Sequence, residues 1–354
     1  MHPTHILLAM ALSCLPATCL SGQQLANTGG GGFGGGEMGE GLGGGRPDFM
    51  DRVPSFGSES ATGLFALPVE ITNRRNETVS YGRAEFGVTG KIHRSPKWSL
   101  TANSSYSHLG IEHNAGTLPT RLVKLRTGLT GTIMGPPFLL FSTSLGYASD
   151  FETPTLRDLT LTQLIMASFK LDAQWSISTG AFYSYGRSNS VIRALRYFPI
   201  PFISATWRPN EKLRVTLGLP SFSVDWKPNS FFELQASYAL PFSPRLTLTQ
   251  RPAAWLVLRE YFGRVSEDYS LTAPFWEDYT QIELSGWGLG ASVELLPFAG
   301  VINEPQLRNS SLKLTYQFGF LQRWRIYTYD DNDNRVTYEL APSHNFALTI
   351  TLAF

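Results

Sequence analysis

Apolar and polar residues alternate with period two along most of this chain, and the pattern runs to its last residue. Phe346, Leu348, Ile350, Leu352 and Phe354 fall on one face of an extended strand. Ala347, Thr349, Thr351 and Ala353 fall on the other. The same two-faced pattern recurs upstream from about Gly63. Gly82, Ala84, Phe86 and Val88 oppose Arg83, Glu85, Thr89 and Lys91. Val123, Leu125, Leu129 and Ile133 oppose Lys124, Arg126, Thr130 and Thr132. Phe232, Leu234, Ala236 and Tyr238 oppose Glu233, Gln235 and Ser237. Leu312, Leu314, Tyr316, Phe318 and Phe320 oppose Lys313, Thr315 and Gln317. These segments run for about 9 to 14 residues, a length that suits strands crossing a bilayer at a tilt. Strands of soluble domains are nearer 5 or 6 residues, roughly.

The connections alternate in length. His93–Lys97, Met134–Pro137, Leu171–Gln174 and Arg208–Lys212 are tight. Gly110–Thr120, Ala148–Arg157, Gly186–Arg196 and Ser266–Asp278 are longer. Short turns on one side and long loops on the other are the pattern of an antiparallel up-and-down transmembrane β-barrel. The expected fold is therefore all-β, with an even strand number of about 12 to 16 and about 14 favoured. The least determined stretch is Pro199–Arg251, where Gly218-Leu-Pro220 reads either as a bend within one strand or as a turn between two.

The tail resembles the closing strand of bacterial outer-membrane β-barrels, where a terminal aromatic with alternating hydrophobes serves as the insertion signal. The resemblance implies that Phe346, Leu348, Ile350, Leu352 and Phe354 address the chain to the barrel-insertion machinery and to outer-membrane lipids. It also implies residence in the outer membrane of a diderm bacterium. Trp207–Pro220, a Pro-Asn turn followed by a strand ending in Gly-x-Pro, is similar to a stretch of uncharacterised outer-membrane barrel families. Together these resemblances cover residues 61–354.

Composition agrees with a lipid-facing surface. Charged residues are 16% of the chain and aromatics 13%, whereas soluble proteins carry roughly 25% charged residues. The net charge of +1 argues against nucleic acid as a partner. Trp and Tyr sit near segment ends, as an interfacial aromatic girdle would place them. Ile6–Leu15 is a short apolar run followed by small residues, which predicts a signal peptide over 1–22. Its removal takes away Cys14 and Cys19, the two cysteines of the chain. Residues 23–60 contain the glycine tract Gly29–Gly45 and predict a disordered periplasmic leader ahead of the barrel at 61–354.

No enzyme, cofactor or metal chemistry stands out. His108 and His113 flank an expected outer loop without helical spacing or a companion cluster. Asp330–Asn334 resembles a calcium loop, but Arg335 stands where glycine is needed and Ala341 where glutamate is needed. Ser343-His344 and Ser105…His108 lack a recognisable hydrolase context. The chemistry that remains is the polar barrel face. Arg83, Glu85, Lys91, Lys124, Arg126, Arg214, Glu233, Arg245, Lys313 and Arg323 are the expected pore-lining set, and its basic excess reads equally as anion preference in an open pore or as paired charges filling a closed interior. The expected function is a passive pore for small polar solutes. The alternatives are a non-conducting structural or adhesion barrel, and a transporter of hydrophobic ligands.

Overall fold

The computed structural model describes residues 57–114, 118–150, 158–185, 199–219, 221–239, 243–271, 280–298, 310–328 and 336–353. The expected signal peptide, nearly all of the Gly-rich leader, Phe354 and the Asp330–Asn334 loop lie outside these residues.

The described chain is all strand in its regular structure. In order these are β1 (Gly57–Ala66), β2 (Val69–Glu70), β3 (Thr78–Arg94), β4 (Trp98–His113), β5 (Arg121–Ile133) and β6 (Phe138–Ser149). Next come β7 (Leu159–Lys170), β8 (Trp175–Tyr185), β9 (Ile200–Asn210), β10 (Leu213–Leu219), β11 (Ser221–Trp226) and β12 (Phe232–Ala239). The last are β13 (Ser243–Ala253), β14 (Leu256–Leu271), β15 (Thr280–Leu295), β16 (Ser311–Thr328), β17 (Val336–Leu340) and β18 (Ser343–Ala353). β1 begins at Gly57, ahead of the boundary at 61 expected from the sequence.

Successive wall strands pair antiparallel, and β1 closes the ring by pairing antiparallel with β18, from Ser58↔Ala353 to Ala66↔Asn345. β1 and β2 are one wall strand interrupted once, since both pair with β3. β17 and β18 are likewise one, since both pair with β16. The result is a closed barrel of 16 strands. The even number lets first and last strands meet antiparallel, so no edge is left open.

The favoured count of 14 is corrected by the stretch left undecided. Leu217 pairs with Phe222 and Leu213 with Trp226, so β10, which includes Gly218 and Leu219, and β11 are two antiparallel strands rather than one bent strand. Those strands hold seven and six residues, too few for the alternation to separate them by sequence.

Outward positions carry the exposed apolar residues. Phe65, Leu125, Leu145, Ile165, Leu289, Leu314, Phe346 and Leu348 are all exposed. The inward partners along the same strands, such as Thr62, Ser144, Thr315 and Thr349, are buried and polar. A soluble sandwich would reverse this, placing its apolar face within. Trp98, Trp175, Trp207, Trp226 and Trp255 are exposed at the end of the barrel that carries the tight turns. Trp175 stacks on Trp207 at 6.1 Å, and His93 on Trp98 at 3.8 Å. That end also holds both termini of the ring and is the periplasmic end of an outer-membrane barrel.

Candidate functional site

The inward face of the ring carries the polar and charged side chains, so the lumen wall defines the candidate site. The inward register follows from the ladder: Arg83↔Leu109, Glu85↔Ser107, Thr89↔Asn103 and Lys91↔Thr101 stand side by side on β3 and β4. Asn103 and Ser105 face inward and are nevertheless exposed, so the lumen at that level has room for water.

Above that level the outer mouth is narrow. Ser270 on β14 bridges in parallel to Ser149 on β6, across the ring. The bridge draws β14–β17 over β2–β6, and their inward side chains meet. Val79, Leu109, Leu122, Tyr269, Ile282, Trp324, Ile326 and Tyr338 form one buried apolar cluster there. Tyr81 and Trp324 touch ring to ring at 5.6 Å. Polar residues floor this cap. Arg83 grips Glu267 with two hydrogen bonds of 2.7 and 2.8 Å, from β3 to β14. The Tyr269 hydroxyl donates to Glu267 at 2.7 Å, and Ser107 donates to Glu85 at 3.4 Å. Glu85 lies 3.4 Å from the same Arg83 guanidinium. The bidentate geometry and burial make this a strong charged contact.

A second charged wall lies toward the periplasm on β10–β16. Glu233 is buried between Lys227 and Arg251, each at 3.1 Å, and receives a 2.9 Å hydrogen bond from Gln235. Arg214 faces Asp225 at 3.8 Å. Arg259 pairs with Glu294, which stands opposite Lys313 in the ladder. Arg245 and Arg259 are both close enough to act electrostatically on Lys313. The outer end of the Tyr261 ring lies against Gly290, where an added Cβ would collide with it. A larger residue at that position would force the Tyr261 ring to shift.

The ladder places Arg83, Glu85, Lys91, Lys124, Arg126, Arg214, Glu233, Arg245 and Lys313 at inward positions. It does not bring them to one ring. Arg83, Glu85 and Lys124 belong to the floor of the cap, and the others are spread below it. Arg323 is corrected: it faces outward, 3.3 Å from Glu339. Leu321 has a positive φ of 51°, and the register shifts between Ser285 and Trp287 opposite it. One extra residue in the strand exchanges the two faces beyond that point. Gln322, Trp324 and Ile326 therefore turn inward.

Sequence reading missed Glu267, Arg259 and Asp225. β14 begins Leu256-Val-Leu-Arg-Glu-Tyr-Phe, in which both faces carry charge and apolar groups, so alternation gave no face. It also missed an inward apolar patch on β6–β9, formed by Leu140, Met166 and Phe202 with Phe138 and Leu164 against it. Ser343 and His344 lie on opposite faces; Ser343 is buried, and His344 meets the Tyr316 hydroxyl at 2.8 Å on the outside. Among the described residues no three His, Cys, Asp or Glu side chains converge as a metal site.

A closed antiparallel ring that is apolar outside and polar inside defines a transmembrane β-barrel, the class found in the outer membrane of diderm bacteria. No known protein family matches the chain, and no curated protein matches it. Among solved structures it is similar to Pseudomonas aeruginosa OccK2 (OpdF), solved in complex with glucuronate, at 9% identity and a TM-score of 0.38. That match covers 84% of this chain and 98% of the other. It is similar to a bacterial polysaccharide outer membrane secretin at 10% identity and a TM-score of 0.34, covering 85% and 99%. An outer membrane channel from Pseudomonas putida F1 follows at 6% identity and a TM-score of 0.33, covering 87% and 99%. The barrel assignment rests on this chain's own strand ladder.

Proposed function

We propose that the protein is an outer-membrane channel for small polar solutes, with a preference for anions. The observation that carries this reading is the pairing of an exposed inward face at Asn103 and Ser105 with a cationic wall at Arg245, Arg259 and Lys313. Fixed charges on a lumen wall concentrate the opposite sign and set selectivity. The capping cluster on β2–β6 and β14–β17 narrows the outer end of the lumen beneath it. Phe346 and Leu348, exposed on the outer face of β18, support contact with lipid and recognition by insertion machinery.

The test is single-channel recording in planar bilayers under a KCl gradient. The expected outcome is discrete conductance steps with a reversal potential displaced toward the chloride equilibrium value. Replacing Lys313 and Arg259 by Gln moves it toward potassium. Silence in correctly folded protein, judged by heat-modifiable migration, excludes the pore.

A further inference from the structure

The register of β3 shifts near its periplasmic end. Lys91 pairs with Thr101 and His93 with Leu100, so one extra residue lies in β3 between them. His93 stacks on Trp98 at 3.8 Å on the outer face. Ile92 is outward too and 59% exposed. Arg94 then pairs with Ser99, whose hydroxyl lies on the inner face, 2.7 Å from that of Thr132. Lys91 and Arg94 are three apart in sequence, and strict alternation would send them to opposite faces. The shift puts both on the lumen side, where the charge of Arg94 bears on Lys91.

Two cations side by side repel until a counter-ion lies between them. Among the described residues neither Lys91 nor Arg94 makes an ion pair. The inward positions beside them are hydroxyls and an amide: Thr89, Thr101, Asn103 and Thr130. Below Glu85 the described inward positions of β3–β9 hold no carboxylate, and Arg126 and Lys170 add positive charge to the same wall. The opposite wall is built differently. There Arg214 meets Asp225, Arg251 meets Glu233, and Arg259 meets Glu294. Arg94 is exposed and Lys91 is part-exposed, so water and solutes reach the pair. An oxyanion between them supplies the missing negative charge and accepts charge-assisted hydrogen bonds from both.

We propose that Lys91 and Arg94 form a binding site for a multivalent oxyanion, a phosphate or a polycarboxylate, at the periplasmic entrance of the lumen. The guanidinium faces two oxygens of the anion, the ammonium faces a third, and the Thr101 hydroxyl donates beside them. Multivalent anions are favoured over monovalent ones because the attraction grows with each negative charge. The proposal rests on the channel reading only for a lumen open to water. It adds to that reading the class of anion and the side from which it is met.

The test is isothermal titration calorimetry of the full barrel in nonionic detergent, with pyrophosphate, citrate and acetate. Saturable binding is expected for the first two and not for acetate at the same concentration. Binding of only one of the two supports the site and names its anion. Lys91→Gln and Arg94→Gln are each expected to weaken binding about tenfold, the loss of one charge-assisted contact. Lys97→Gln removes the same charge from the adjoining turn and is expected to leave the affinity within about twofold, because exposed charges there are screened by salt. Heat-modifiable migration shows that each variant has folded. Unchanged affinity in both lumen variants, an equal loss with Lys97→Gln, or acetate bound as tightly overturns the site. Calorimetry needs no current, so conductance is read separately. A conducting barrel that binds neither multivalent anion refutes the site alone, and a silent barrel that binds one refutes the pore alone.

Discussion

Glu267 is the residue on which the outer cap depends most. Its carboxylate holds both nitrogens of Arg83 and accepts from Tyr269, all of them buried. Taking one partner from a buried ion pair leaves the other uncompensated, at a cost of about 3–5 kcal/mol. Glu267→Gln is expected to lower the unfolding midpoint by that order and to raise conductance, because the floor of the cap loosens. Unchanged conductance in a folded variant would show that the cap does not restrict flow. Gly290 makes a steric counterpart. Gly290→Val drives a branched side chain into the Tyr261 ring and is expected to cost about 1–3 kcal/mol by overpacking. Urea titration measures both.

Single strands show how far alternation can be read. On β3 the sequence assigns Arg83, Glu85 and Lys91 to the polar face, and the ladder with β4 places them inward together. On β16 the same rule holds through Gly319 and then inverts, because Leu321 occupies an αL backbone position. Nothing in Gly-Phe-Leu-Gln-Arg-Trp announces that inversion. Alternation reports faces, and an inserted residue changes face without changing composition. A leucine at positive φ costs about 1–2 kcal/mol relative to glycine. Leu321→Gly is therefore expected to stabilise the barrel by about 1 kcal/mol. An unfolding midpoint that falls would mean that outward contacts of Leu321 outweigh its backbone strain.

At the scale of the whole molecule, closure of the ring depends on β18 lying against both β1 and β16. Phe346 and Leu348 turn outward from it. Phe346→Lys puts a charge on that lipid face at a cost of up to about 2–4 kcal/mol, depending on depth. The folded fraction recovered from lipid vesicles is expected to drop, with Asn345→Gln on the inward face as the milder comparison. Equal recovery of the two variants would argue that this face does not meet hydrocarbon.

The period-two pattern by itself determined the class. Residues that alternate every second position over spans of membrane length have one stable arrangement, a closed barrel with its apolar face outward. The pattern is local, so it is written in the chain. The number of strands and the cap are not local. β10 and β11 are too short to declare themselves, and the parallel bridge from Ser270 to Ser149 joins strands far apart in sequence. The Arg83–Glu267 contact likewise spans 184 positions. Such contacts depend on which wall segments the ring brings face to face, and that follows from strand number and register summed over the whole circumference. Only the tertiary structure decided them.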